Sequence, residues 1–265
     1  MYRSARYTIC LLITFLLLSC QRDDQLFTLL SHKKTGIAFR NTLKEFPDFN
    51  SLDYGYMFNG AGVAAGDIDN DGLVDLFFSG NLAGNRLYLN KGNFRFEDIT
   101  DNSGIYAFES WCTGASMADV NGDGLLDIYV CSSTDRRQRF RKNLLFLNNG
   151  DLTFSERAEE YGIGGVVYST HSAFLDYDKD GDLDLFVLNH SLDRFAFYSE
   201  DYVRLREGRD PWFGQKLFRN DGERFTEVTS DANIFSSAIN FGLGVAVADF
   251  NGDHWPDIYV CNDYY

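Results

Sequence analysis

Two hydrophobic patterns divide the chain. Ile9 to Leu18 is a ten-residue apolar run with one threonine, Thr14, inside it, preceded by Arg3 and Arg6. Beyond it, apolar residues come in runs of four to six, rich in aromatic and branched side chains and bounded by Gly, Asn and Asp. That pattern predicts short β-strands. No later stretch sustains a helical period. Ten helical residues cover about 15 Å, half of a hydrocarbon core of roughly 30 Å. Residues 1–19 therefore read as a cleaved export signal rather than a membrane span.

The short runs belong to a repeat. One acidic phrase occurs four times: Asp67-Ile-Asp-Asn-Asp-Gly-Leu-Val-Asp75, Asp119-Val-Asn-Gly-Asp-Gly-Leu-Leu-Asp127, Asp176-Tyr-Asp-Lys-Asp-Gly-Asp-Leu-Asp184 and Asp249-Phe-Asn-Gly-Asp-His-Trp-Pro-Asp257. Their starts lie 52, 57 and 73 residues apart. Small and apolar residues precede each phrase, and an apolar stretch such as Leu76-Phe77-Phe78 follows. A second phrase comes after the first three: Asn85 to Asn90, Asn143 to Asn148 and Gln215 to Asn220, with Phe96, Phe154 and Phe225 shortly beyond. Each unit thus reads as four short strands. A period of that length points to an all-β fold of propeller blades, whose radial array leaves few strand edges open. The predicted units are 58–105, 111–163, 169–234 and 240–265, within a propeller region of 51–265. Residues 20–50 read as a linker with a partial repeat strand. The fourth unit lacks its third and fourth strands, so the expectation is a partial ring of about three and a half blades. A truncated frame would give that count. So would a four-blade ring closed by a strand near Phe27 or Phe39.

These phrases resemble the FG-GAP and VCBS repeats of bacterial surface proteins and of the integrin α-subunit propeller. The linkers Thr100 to Ile105 and Thr35 to Phe39 are also similar to those of bacterial relatives of cartilage acidic protein. The resemblance runs from about Leu26 onward. It implies a calcium-bearing β-propeller, most often of seven blades, and no particular ligand. At the amino-terminal end, Leu17-Leu18-Ser19-Cys20 resembles the lipobox of bacterial lipoproteins, which implies a lipid anchor on Cys20. An ordinary secretory signal with an incidental cysteine is the alternative. The following Gln21-Arg22-Asp23-Asp24 looks like the acidic tag that directs some lipoproteins to the outside of the outer membrane.

The acidic phrases suit calcium. Ca²⁺ takes six to eight oxygens, and alternating carboxylates on a tight loop supply them. Positions 1, 3, 5 and 9 offer side-chain oxygens and position 7 a backbone carbonyl. The predicted ligands are Asp67, Asp69, Asp71, Leu73 and Asp75; Asp119, Asn121, Asp123, Leu125 and Asp127; Asp176, Asp178, Asp180, Asp182 and Asp184; and Asp249, Asn251, Asp253, Trp255 and Asp257. Without a cation the clustered carboxylates would repel one another, although unaided Asx turns are the alternative. Loop four is the weakest fit, because His254 stands where the others have Gly. All the ligands are local, so the three to four ions read as structural.

Composition narrows the function. The chain has 24 Lys and Arg against 39 Asp and Glu, a formal charge of −15, which argues against a nucleic-acid partner. Four bound Ca²⁺ would move that charge to −7. Cys112, Cys131 and Cys261 remain after the signal and Cys20, so at most one disulfide forms. Cys131 and Cys261, at matching strand positions, read as buried thiols.

The connection after each acidic strand grows from unit to unit, and insertions of this kind gather on one face, often the binding face. The face opposite the loops therefore carries the candidate ligand residues Arg136, Arg137, Arg139, Arg141, Tyr198, Tyr202, Arg204, Arg206 and Trp212. Arg beside aromatics suits an acidic glycan or a protein partner. The resulting expectation is a lipid-anchored, non-catalytic binding or adhesion module. Two alternatives stand beside it: a polysaccharide lyase-like enzyme using His190 or Tyr202 as base, and an inactive fragment. His171, replacing the Gly of the other units, reads as a satisfied strand histidine.

Overall fold

The computed structural model describes residues 26–106, 110–133, 141–192 and 202–263. The chain divides into two units, Met1–Ser31 and His32–Tyr265. In the first, residues 26–31 form no helix or strand, and a strand at Phe27 is absent.

The second unit is built of antiparallel meanders. Blade one runs β1 (Val63–Gly66), β2 (Asp75–Phe78), β3 (Arg86–Asn90) and β4 (Phe96–Asp98). Blade two is β5 (Cys112–Ala118), β6 (Asp127–Ser132), β7 (Leu144–Asn148) and β8 (Phe154–Glu156). Blade three is β9 (Ser169–Leu175), β10 (Asp184–Asn189), β11 (Lys216–Asn220) and β12 (Phe225–Glu227). Among the described residues the fourth blade has two strands, β13 (Gly242–Ala248) and β14 (Asp257–Asn262). The fold is all-β, a partial β-propeller.

Small residues on the inner strands let neighbouring blades approach. A Cβ at Gly62 would lie 2.6 Å from the Thr113 carbonyl oxygen, and one at Gly114 would lie 2.6 Å from that of Thr170. Farther out, alternate strand residues face opposite blades and fill the space between them. Phe77, Leu87, Ile128, Val130 and Phe146 pack between blades one and two, whereas Tyr129, Cys131, Leu145, Leu185 and Val187 pack between two and three. A fully buried side chain of this size contributes about 1.5–3 kcal/mol.

Three elements differ from the sequence reading. The segment before blade one forms a helical turn, α1 (His32–Thr35), and no strand appears in residues 32–50. Phe39 stacks on Phe78 at 5.2 Å instead of closing a sheet. The linker Thr100 to Ile105 forms a similar turn, α2 (Thr100–Ser103), ended by Gly104 at φ 75°. A third short helix, α3 (Tyr202–Glu207), lies in the long connection of blade three. Its Tyr202 and Leu205 pack against Ile239 and Phe241. Six residues are too few to display a helical period in sequence.

Candidate functional site

Each acidic phrase forms the turn between the first two strands of its blade. Its fourth and sixth residues take positive φ: Asn70 and Gly72, Gly122 and Gly124, Lys179 and Gly181, Gly252 and His254. Gly adopts this conformation freely, while His254 at φ 69° carries the strain of an L side chain there. Its amide donates to Asp249 Oδ2 at 2.9 Å, which helps hold it.

The last Asp of each phrase acts as a hub. Asp127 Oδ2 accepts the Val120 amide (3.0 Å) and Oδ1 the Asn148 amide (2.8 Å). Asp75 and Asp184 repeat this with Ile68 and Asn90, and with Tyr177 and Asn220. Asn148 then joins two blades. Its Nδ2 donates to the Leu126 carbonyl of its own loop (3.2 Å) and to the Ile68 carbonyl of the preceding blade (2.8 Å). Asn220 likewise reaches Leu183 (3.2 Å) and Val120 (3.0 Å). The Gly two residues after each Asn donates to its Oδ1. The sequence showed these asparagines as part of a repeated phrase but gave no role; the recurrent Asn-x-Gly was the available signal.

Two loops bring carboxylates together closely enough to share an ion. Asp67, Asp69 and Asp71 each offer an oxygen within 4.8 Å of the others, as do Asp176, Asp178 and Asp184. In loop three, Asp176 Oδ1 and Asp178 Oδ1 are buried with no hydrogen-bond donor. Unpaired buried carboxylate oxygens are costly without a cation, so this all-oxygen set fits Ca²⁺ better than a soft or nitrogen-preferring metal. Asp75 lies outside the first cluster and gives both oxygens to backbone amides. Asp180 takes the Asp182 amide. Asp119 and Asp249 accept amides from their own turns, as Asx turns do, and so do Asp67 and Asp176 in loops one and three. Asn121 and Asn251 donate to Asp123 and Asp253 at 3.0 Å. Leu73, Leu125 and Trp255, like Asp182, place their amides on the carboxylate at position 5. Burial pushes Asp127 and Asp184 up to about 6, against the lowering effect of the amides they accept. Partial desolvation, followed by the charge on Asp71, raises Asp69.

The strand two to strand three connections lie at the other end of each blade. Arg136, Arg137, Arg139 and Tyr198 fall outside the described residues, as does Cys20. Arg141 is 4% exposed, and its guanidinium sits 3.9 Å from the Tyr168 ring centroid and 5.8 Å from that of Trp212. Blades two and three thus bring a buried cation together with two aromatic rings, and its Nε has no hydrogen-bond partner. Tyr168 was not singled out in sequence, because its position beside Arg141 depends on how the two blades meet. Arg204 and Arg206 are exposed on α3, whereas Tyr202 packs inward.

A cleft of about 510 Å³ lies near the inner strands and is lined by Tyr54, Tyr56, Trp111, His171 and His190 among others. His190 meets Tyr56 edge-on at 4.1 Å and Phe241 at 5.3 Å, and burial pushes its pKa down to about 4. His171 Nδ1 accepts the Ser172 amide at 2.8 Å. Cys112 and Cys131 are buried free thiols, raised by burial to about 11 and about 12. Cys261, expected inside, is exposed because the face of β14 that corresponds to Cys131 has no blade over it among the described residues.

The FG-GAP-like repeat model matches residues 67–130, 132–187 and 200–260, and each match takes in at least one acidic phrase. Cartilage acidic protein 1 of Xenopus tropicalis is 28% identical over 202 residues, covering 76% of this chain and 28% of that protein. The Homo sapiens protein of the same name is 24% identical over the same shares. The chain therefore spans 28% of the length of these relatives. With three matched segments over most of its length and a blade built around each acidic phrase, the chain belongs to the FG-GAP-like repeat family.

Proposed function

We propose that this chain is a calcium-stabilised binding module that recognises an acidic partner through the face opposite its acidic loops. The observation carrying this reading is Arg141, a guanidinium held between Tyr168 and Trp212 where blades two and three meet. A planar, stacked guanidinium recognises carboxylates bidentately, and aromatic neighbours favour sugars or interface side chains. Calcium on the opposite loops would hold the strand ends in place, with Asp67, Asp69 and Asp71, and Asp176, Asp178 and Asp184, as ligands. When bound, the ion supplies charge neutralisation within each turn. The chain's own amides and asparagines orient the loop carboxylates. Export with a lipid on Cys20 would place the module at the outer membrane.

Binding to uronate-containing oligosaccharides and to acidic peptides, read by titration calorimetry, tests the proposal and separates glycan from protein. Trp212→Ala, at a 46% exposed position, is expected to weaken binding at least tenfold with an unchanged melting midpoint. Arg141→Lys keeps the charge but loses the plane, and should also weaken it. Undiminished binding by both variants would contradict the proposal. Cys20→Ser should release the protein from the membrane fraction.

A further inference from the structure

We infer that the cleft beside the inner strands binds a neutral, hydroxyl-bearing ligand, the end of an uncharged saccharide, through His171. This site does not depend on Arg141 or on an acidic partner. The cleft, about 510 Å³, lies where β1, β5, β9 and β13 begin, at the end of the blades away from the acidic loops. Its size falls within the roughly 300–1,000 Å³ of small-molecule sites. Among the described residues no Asp, Glu, Lys or Arg lines it, in a chain of formal charge −15. An ion would find no counter-charge there, so the occupant is uncharged.

His171 is the part that the repeat does not explain. Its counterparts are Gly62, Gly114 and Gly244. A Cβ at Gly62 or Gly114 would strike the backbone of the next blade, whereas His171 is accommodated, half-buried, on the cleft wall. Its Nδ1 lies 2.8 Å from both the amide nitrogen and the carbonyl oxygen of Ser172, which holds the ring and leaves Nε2 for a ligand. A hydroxyl suits Nε2 in either tautomer, because it both donates and accepts. Thr113 and Thr170 donate to the carbonyls of Ser169 and Gly242 at 2.8 Å, so their oxygens keep lone pairs for further ligand hydroxyls. Val63 and Leu243, 57% and 40% exposed, add apolar lining. Spaced acceptors beside apolar surface match a sugar ring, with hydroxyls at its edge and C–H groups on its faces. His190 points to the same class. It is 1% exposed on the cleft wall, and neither ring nitrogen has a hydrogen-bond partner; the nearby Gly242 backbone does not supply one. Tyr56 packs edge-on against it. An unsatisfied buried polar group is costly, and a ligand hydroxyl that turns the Tyr56 edge aside provides the missing partner.

Titration calorimetry of the full chain with maltose, lactose and N,N′-diacetylchitobiose tests this, with a uronate disaccharide as competitor. At least one neutral sugar should bind saturably below about 10 mM, and amide exchange should slow at 111–115 and 170–171. The exchange measurement uses the unaltered chain, so folding of a variant does not confound it. His171→Gly, which installs the residue of the other blades, should weaken binding at least tenfold with the melting midpoint little moved. His190→Phe keeps a ring against Tyr56 and Phe241 but deletes both nitrogens. It should weaken binding while the melting midpoint holds or rises, an outcome that a purely structural histidine would not give. No saturable binding of the three sugars up to about 10 mM, undiminished binding by His171→Gly, or protection elsewhere in the chain would overturn the inference. So would displacement by the uronate disaccharide, which would place the sugar beside Arg141 instead.

Discussion

Asn148 and Asn90 occupy the same place in successive blades, yet they should differ in what they stabilise. Asn148→Ala removes the Nδ2 bonds to Ile68 (2.8 Å) and Leu126 (3.2 Å) and leaves the Gly150 amide (2.9 Å) without its acceptor. A lost hydrogen bond costs about 1 kcal/mol net, and a buried group left unsatisfied costs about 1–3 kcal/mol. Because Ile68 lies inside the interface of blades one and two, the sum comes to about 3–4 kcal/mol. Asn90 Nδ2 donates only to the exposed Val74 carbonyl, and water can replace it. Its Oδ1 takes the Gly92 amide (2.9 Å), a bond that both asparagines make and that water can replace at this partly exposed turn. Asn90→Ala should therefore cost about 1 kcal/mol. Urea unfolding in calcium buffer, followed through the buried Trp111, reads both values. With a slope of about 3 kcal/mol per M, the Asn148 variant should lose roughly 1 M in midpoint and the Asn90 variant about a third of that. Asn220→Ala should match Asn148→Ala. Equal losses at Asn90 and Asn148, or a larger loss at Asn90, would refute the idea that these residues join neighbouring blades.

Other perturbations separate local from inter-blade effects. Gly114→Ala puts a Cβ 2.6 Å from the Thr170 carbonyl oxygen and 2.8 Å from His171 Cα, backbone atoms that cannot swing away. It should cost about 1–3 kcal/mol in denaturant unfolding. Gly244→Ala meets nothing within 4 Å and should stay within about 0.5 kcal/mol of the parent. Asp127 and Asp184 are raised to about 6 from an ordinary 3.8, so the folded chain prefers them protonated. Their contribution is present below pH 4 and is lost as pH rises through 6. The chelated protein should accordingly melt lower at pH 7 than at pH 4.5, and added calcium should recover more at the higher pH; a chelated midpoint that climbs over this range would contradict the assignment. Asp178→Asn should raise the chelated midpoint and shrink the calcium increment in a melting scan, because it removes one charge from a cluster that needs the ion.

How much of this was legible in the sequence depended on whether the determinant was local. The acidic phrase specifies its own turn, because its Asp side chains take its own amides and its fourth and sixth residues accept positive φ. The small residues at Gly62 and Gly114 could be seen, and blade contact explains them. Burial could not be read in this way. Asp127 to Cys131 and Asp257 to Cys261 are the same five residues, yet Tyr129 is 1% exposed and Tyr259 61%. Among the described residues a further blade covers the first strand and none covers the second. Arg141 was visible as a charge in a long connection, but its stacking on Tyr168 required two blades to meet. The short helix α3 escaped because packing against Phe241, rather than periodicity, fixes it.

Calcium content and its coupling to melting test the central claim directly. Protein stripped by chelation, then equilibrated with calcium and separated from free ion, should carry at least two ions per chain, one for each carboxylate cluster, and its melting midpoint should rise as calcium is restored. Fewer than two ions, or melting curves that coincide with and without chelator, would contradict the assignment of these acidic turns as metal loops.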